Sequence, residues 1–340
     1  MPYILLDALH INNGGGKILL DYLIEKLEDS DLYIYYLLDV RVINNIQPIK
    51  KGNKVHYESA SYFNRLKFYN NKKRIFELVL CFGNIPPLIR LKVPVYTYFH
   101  NPMYLDVPLD FSNFQKILYY IKTFILTNSV NYTDKFIVQS AFIKKRLQLK
   151  FKIDSDKVLV LPFYPPLISE NQVNRDKNSF LFVSNATPNK NHEKLINAFC
   201  KFYDIYKCAT LTLTVNPSFN QTFNLIEEKK RMGYPIKNIG FVKREELKAY
   251  YAKSEYLIFP SLAESFGLGI VEAIENGCKV IGSNLPYLFE VCKPSLVFNP
   301  LSEEDIFNAI KSSCFNILDK SQNLIKNNIN ELIKLMRNGY

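Results

Sequence analysis

Glu264 and Glu272 are the residues best suited to chemistry in this sequence, within the stretch IFPSLAESFGLGIVEAIENGCKVIG at 258–282. A β-branched and aromatic run ends there at Pro260, a Ser/Gly loop follows, and a short helix and a strand close the stretch. On that pattern Glu264 falls in the loop and Glu272 in the first turn or so of the helix, with Gly267 and Gly269 where the helix begins. A helix start offers N–H groups that lack intrahelical acceptors, together with the positive end of the peptide dipole, and this suits phosphate. Backbone donors on one side and carboxylates on the other would hold a nucleotide diphosphate and its sugars. The plainer alternative is a pair of solvated carboxylates, which also favour that end of a helix.

A second group lies near the start of the chain. Residues 3–9 read as an apolar strand, Gly14, Gly15 and Gly16 as a turn, and the apolar spacing from Ile18 to Leu27 as a helix. Glycines let a backbone approach a phosphate, so the three form a candidate phosphate or acceptor loop beside the simpler reading of a tight turn. The run is not G-x-G-x-x-G, and Lys17 lacks the flanking spacing of a Walker lysine. His100 follows the strand-like VPVYTYF and precedes Asn101-Pro102, at a strand's carboxyl end. His10, His56, His100 and His192 show no ligand spacing with carboxylates, and no D-x-D stands between strand and loop, so no metal site is expected.

The elements that must position these residues alternate. Strand-like runs at 31–38, 54–57, 78–82, 93–99, 135–138 and 157–161 are separated by helical patterns, notably 111–128 and 141–149. A proline-containing, polar segment at 162–178 reads as a linker. Alternation then restarts with strands at 179–184, 210–215, 236–242 and 256–259 and helices at 193–206, 219–232 and 244–252; the tail, 302–337, reads as helical. A length of 340 residues exceeds one ordinary domain of about 150. The expected fold class is α/β, with two Rossmann-like doubly wound domains facing across a cleft: 1–165, 166–320 and a C-terminal helix at 321–340 that packs back on the first domain. Ligands in such sheets bind at the carboxyl ends of the strands.

Composition narrows the class further. A hydrophobic share of 48% with 22% charged residues fits a globular protein with a full core. No run reaches the roughly 18 apolar residues of a membrane span, and the N-terminus lacks a basic region and cleavage site, so neither a span nor a signal peptide is expected. Six scattered cysteines without C-x-x-C spacing fit reduced thiols in the cytoplasm. The net charge of +11 leans to the first half, with dense patches at Arg65, Lys67, Lys72, Lys73 and Arg74 and at Lys144, Lys145, Arg146, Lys150 and Lys152. Tyr62, Phe63, Phe68 and Tyr69 interleave the first patch. A solvated helix face and an anionic membrane surface both remain open for these patches. Nucleic acid ranks below them, because no nucleic-acid module is recognisable.

Taken together, FVSNATPNKNHEKLINAF at 182–199, NIGFVKREELKAYYAKSEYLIFPSLAESFGLGIVEAIENG at 238–277 and SNLPYLFEV at 283–291 resemble the retaining glycosyltransferases of the GT-B fold, family four. The E-x7-E spacing with S-F-G inside it, preceded by N-K-N-H and F-P-S, carries the resemblance; the N-terminal half matches only in organisation. The resemblance implies a nucleotide-sugar donor on the C-terminal half and the acceptor on the N-terminal half. It implies that Glu272 accepts from ribose hydroxyls, that Glu264 faces the donor sugar's hydroxyls or its reacting face, that Phe266, Gly267 and Leu268 offer backbone N–H groups to phosphate or sugar, and that Asn185 and Ser265 also bind the donor. Lys190 would offset the leaving group's charge, and His100 would lie near the reacting sugar. The family usually carries an arginine where Asn185 stands, five residues before that lysine, and a proline where Gly269 stands.

The expectation is thus a retaining transfer of a hexosyl group from a nucleotide diphosphate-sugar to an acceptor hydroxyl, with no cofactor and no metal. The setting implied is bacterial surface polysaccharide (O-antigen or capsule) synthesis, with a saccharide or lipid-linked saccharide acceptor, in the cytoplasm or peripherally at the inner face of the plasma membrane. An epimerase-like or phosphorylase-like enzyme on the same fold and a non-catalytic nucleotide-sugar-binding protein are the alternatives.

Overall fold

The structure, a computed structural model, describes residues 2–107, 111–169 and 174–338. Its contacts divide the chain into two units, Met1–Pro165 with Lys326–Tyr340, and Pro166–Ile325.

The first unit is built in the order β1 (Tyr3–Ala8), α1 (Gly14–Glu28), β2 (Ile34–Asp39), β3 (Lys54–Glu58), α2 (Tyr62–Lys72), β4 (Phe76–Cys81), β5 (Val95–Phe99), α3 (Asn113–Ser129), β6 (Lys135–Val138), α4 (Ala141–Phe151) and β7 (Val158–Val160). Every residue of β2 and β5 is buried, the pattern of strands covered on both faces. The strands pair in parallel in the order β3-β2-β1-β4-β5-β6-β7, so the order reverses between β1 and β4.

The second unit repeats the plan: β8 (Asp176–Phe182), α5 (His192–Tyr206), β9 (Thr210–Leu213), α6 (Asn220–Arg231), β10 (Ile236–Asn238), α7 (Arg244–Lys253), β11 (Ser254–Phe259), α8 (Leu268–Glu275), β12 (Lys279–Ser283), α9 (Pro286–Val291), β13 (Cys292–Lys293), β14 (Leu296–Phe298), α10 (Glu303–Phe315) and β15 (Gln322–Asn323). Its parallel sheet runs β10-β9-β8-β11-β12-β14 and reverses between β8 and β11. The chain ends on α11 (Ile329–Asn338), which belongs to the first unit. Asn327, just before it, donates to the Tyr22 hydroxyl at 3.0 Å and to the Tyr164 carbonyl at 2.7 Å. Two reversed parallel sheets give the α/β architecture the alternation implied.

Several local expectations need correction. The tail is two helices, α10 and α11, with 316–328 between them outside any helix. The expected C-terminal helix from 321 therefore begins only at Ile329. The expected strand at 236–242 stops at Asn238, because Gly240 takes φ 66° and turns the chain away from the ladder. The linker ends earlier than position 178, since β8 starts at Asp176; its residues 170–173 lie outside those described. Gly14–Gly16 are not a turn ahead of the helix but the first turn of α1 itself.

The largest correction concerns charge. Arg65 is not part of a surface patch: it is 2% exposed and donates from Nε to Asp7 Oδ2 at 2.7 Å. Its remaining nitrogens reach the Pro86 and Ile85 carbonyls, and the Tyr69 hydroxyl shares Asp7 Oδ2 at 2.6 Å. A buried guanidinium requires such a full set of acceptors. Phe68 and Tyr69 turn inward with it, joining Leu5, Leu37 and Val79 in the core, so Phe63 is left as the exposed ring of that segment. The second patch is partly committed too, with Arg146 paired to Asp106 and Lys150 donating to the Leu105 carbonyl at 2.6 Å.

Candidate functional site

In the second unit the sheet reverses between β8 and β11, and the carboxyl ends of the strands at such a reversal are where sheets of this kind bind ligands. The loops leaving these two strands are 183–191 and 260–267, and they hold Asn185, Lys190, Glu264 and Ser265. Lys190 ends a short 3₁₀ turn over Pro188–Lys190, which Asn189 ties to the facing loop. The Asn189 carbonyl accepts from Leu262 N–H at 2.8 Å, and its side-chain amide donates to the Ala263 carbonyl at 3.3 Å. Asn191, in left-handed conformation, donates to the Pro260 and Pro300 carbonyls at 3.3 and 2.7 Å. These bonds bring Lys190 Nζ onto Glu264 Oε1 as an ion pair. Asn185 stands apart, exposed and in no strand or helix.

Glu264 leads into Ser265, buried Phe266 and Gly267, and α8 follows at Leu268. Gly267 caps the helix at φ 73° and ψ 52°, a region that disfavours any Cβ, and a Cβ there would stand 2.8 Å from Ile270 Cδ1. The first N–H groups of α8 have no acceptors one turn back within the helix, and Ile270 N–H donates instead to the Gly267 carbonyl at 2.8 Å. Gly267→Ala is expected to destabilise this unit by about 1–2 kcal/mol, read as a lower denaturant midpoint, because both the backbone and Ile270 must shift.

Glu272 is the fifth residue of α8, one turn deeper than the sequence suggested. It is 4% exposed, and both oxygens are engaged: Oε1 accepts from Arg244 Nε at 2.8 Å and Oε2 from the Tyr251 hydroxyl at 3.1 Å. Burial pushes its carboxyl up from the usual range, with the Arg244 charge and the two donors pulling the other way. Arg244 and Tyr251, both on α7, are site-shaping residues that the sequence did not single out. Gly269 lies close to that Tyr251 hydroxyl, and a Cβ on it would stand 3.3 Å away. His192, beside Lys190, is buried at the start of α5 against Phe182, ring centroids 4.6 Å apart. Neither of its ring nitrogens has a hydrogen-bond partner, and burial lowers it to about 3, so it is neutral near pH 7.

The first unit holds the other group, at its own reversal between β1 and β4. Gly16 lies directly against His100: a Cβ on it would stand 3.0 Å from His100 Cε1. Gly14 and Gly15 have open space about them. Asn84, at φ 69°, accepts from the backbone N–H of His100 and Asn101 at 2.7 and 2.9 Å and fixes the chain where it leaves β5. His100 Nε2 lies 3.0 Å from the Phe82 carbonyl, and burial lowers its titration to about 4. A carbonyl only accepts, so Nε2 carries the proton and Nδ1 presents a lone pair. Lys17 is bound up, with Nζ on Asp21 Oδ1 at 2.6 Å and on the Asn45 carbonyl at 2.8 Å. Ser140 caps α4 by accepting from Ile143 N–H at 3.2 Å.

The sequence profile of the family "Glycosyl transferases group 1" matches residues 165–331, which take in both loops, α7 and α8. A 41.2 kDa protein in the cps region of Klebsiella pneumoniae is 34% identical over 137 residues, 40% of this chain and 36% of that one. An O-antigen chain mannosyltransferase of Salmonella typhimurium is 27% identical over 194 residues, 56% of this chain and 53% of that one. The matched stretches thus span from about a third to about half of these relatives' lengths. Among solved structures, a sucrose-phosphate synthase from Thermosynechococcus elongatus superposes with a TM-score of 0.71 at 17% identity, covering 92% of this chain and 89% of that one, a likeness of fold. The segment 165–331 thus belongs to the glycosyl transferases group 1, in a chain with a GT-B fold.

Proposed function

We propose that this protein is a retaining glycosyltransferase, moving a hexosyl group from a nucleotide diphosphate-sugar to an acceptor hydroxyl. The observation that carries the reading is the loop pairing of Lys190 with Glu264 beside the start of α8. A diphosphate needs a cation and unpaired N–H donors, and both are offered there within the segment that matches the family. Transfer breaks the bond between the sugar's anomeric carbon and the phosphate oxygen, and the electron pair leaves with the diphosphate. The acceptor oxygen forms the new bond on the same face and passes its proton to the departing phosphate. Charge grows on that phosphate as the bond opens, so Lys190 and the helix dipole stabilise the transition state more than the ground state. This reading assigns no step to a metal or cofactor.

Glu272 would accept from the ribose hydroxyls, its orientation fixed by Arg244 and Tyr251. Glu264 would face the donor sugar once the diphosphate draws Lys190 away from it. The name of the Salmonella relative points to mannosyl transfer onto O-antigen chains; a lipid-linked saccharide is the acceptor of this reading. A second reading, a nucleotide-sugar-binding protein without turnover, draws on the uncharged, exposed Asn185 where the family usually has arginine. Purified protein incubated with GDP-mannose and a panel of other nucleotide sugars separates the two, with and without membrane extract. Nucleoside diphosphate release from one donor is expected. Binding without release would favour the second reading, and neither binding nor release across the panel would sink both.

A further inference from the structure

Helix α3 leaves its apolar side uncovered. Leu126 is buried beside Ile143, Leu147 and Phe151 of α4, and Tyr119 and Ile125 pack against the same core. On the other side Phe114, Ile117, Leu118, Tyr120, Ile121 and Phe124 are exposed, Phe114 at 75% and Phe124 at 69%. At about 100° per residue these six occupy one continuous arc of roughly 160°, and from 114 to 124 it runs about 15 Å along the axis. A patch of this kind on a helix marks a contact surface rather than scattered exposure.

The surroundings select the partner. Asp134 is the only acidic residue between Phe111 and Lys152, against eight lysines and arginines. Lys122 sits beside the stripe, its ammonium 5.0 Å from the centre of the Tyr119 ring. The turn against which α3 packs, Pro102–Tyr104, leads to Leu105 and Asp106, and these hold Lys150 and Arg146 of basic α4. A second copy docking through the same face would set like charges against each other. An anionic surface with an apolar interior satisfies both the stripe and the lysines. No helix among the described residues is long and apolar enough to cross a membrane, so the helix would lie in the plane of the interface.

We infer that α3 docks this protein on an anionic lipid bilayer, with Phe114, Ile117, Ile121 and Phe124 in the acyl boundary and Lys122 at the headgroups. This differs from the contact the sequence suggested, in which the 62–74 segment took part, because Arg65, Phe68 and Tyr69 face inward.

The chain contains no tryptophan, so a single introduced one reports its own position. Phe124→Trp in the full chain should shift its emission to the blue with vesicles of phosphatidylcholine and phosphatidylglycerol, and far less with phosphatidylcholine alone. Ile317→Trp, at a fully exposed position of the second unit, should not shift. In co-sedimentation, Ile117→Glu with Phe124→Glu should lower the bound fraction at least about tenfold. Raising salt from 0.1 to 1 M, which shortens the screening length from about 10 to about 3 Å, should weaken wild-type binding. No blue shift at position 124, an equal shift at 317, or a wild-type dimer that the two glutamates dissociate while vesicles stay unbound would each overturn the inference. The readout is lipid contact alone, so its outcome is independent of any nucleotide-sugar result.

Discussion

Lys190→Ala should lower kcat for sugar transfer by about 10²–10³-fold, the loss typical when one preorganised charge donor is removed from a developing anion. The size follows from how the ammonium is placed. Lys190 is the only lysine or arginine in the loops 183–191 and 260–267, because Asn185 is uncharged. No neighbouring cation in those loops can take over the leaving phosphate. The lysine is also fixed beforehand: Asn189 and Asn191 make three hydrogen bonds to backbone groups of the facing loop and a fourth to the Pro300 carbonyl, and Glu264 holds Nζ until a ligand arrives. Removing it therefore forfeits a charge that needs little reorganisation as the bond breaks. Lys190→Arg should recover part of the rate, since it restores charge while misplacing it. Glu272→Gln is the contrast: on the proposed reading Glu272 binds ribose hydroxyls alike before and during transfer, so the variant should raise KM for the donor more than it lowers kcat. Steady-state kinetics on the donor found in the panel measures both. A Lys190→Ala enzyme within threefold of wild-type kcat would remove Lys190 from the chemistry.

What the sequence made visible was local. The alternation of strands and helices, the loop position of Glu264 and the order of the N-K-N-H and S-F-G segments can all be read from neighbouring residues. What it hid depends on partners far along the chain. Arg65 looked like one more surface cation because its counter-ion, Asp7, lies 58 positions away. Glu272 looked free because Arg244 and Tyr251 meet it only when α7 packs on α8. Helix α3 has the same apolar spacing whether that side faces a core or the outside, so its periodicity gave the helix and not its exposure. The strand expected at 236–242 failed for the opposite reason. Its apolar run continued, but Gly240 at positive φ ended the pairing. Asn84 was unremarkable as a residue type, yet its left-handed backbone aims the amide oxygen at two consecutive N–H groups beside His100.

His192 should make the second unit acid-sensitive well above the range in which carboxylates titrate. Its folded-state value lies near 3, whereas an unfolded histidine titrates near 6.5, so below about 6.5 the unfolded chain takes up a proton that the folded chain refuses. The stabilisation is fully present above pH 6.5 and is lost as pH falls toward 3, at about 1.4 kcal/mol per pH unit from this one group. Between pH 6.5 and 4.5 that amounts to about 2–3 kcal/mol, a large part of an ordinary domain's stability. His10 and His100, each lowered to about 4 chiefly by burial, act in the same direction on the first unit. The discriminating variant is His192→Phe. Neither ring nitrogen has a partner to lose, and Phe182 offers an aromatic neighbour. The variant should match or exceed wild-type stability at pH 7 once the buried polar ring is gone. As pH falls it should lose stability less steeply, by about 1.4 kcal/mol per unit. Denaturant unfolding of the full chain at several pH values gives both slopes. Parallel slopes for variant and wild type would mean that His192 binds its proton in the folded state, and the buried, neutral ring described here would be wrong.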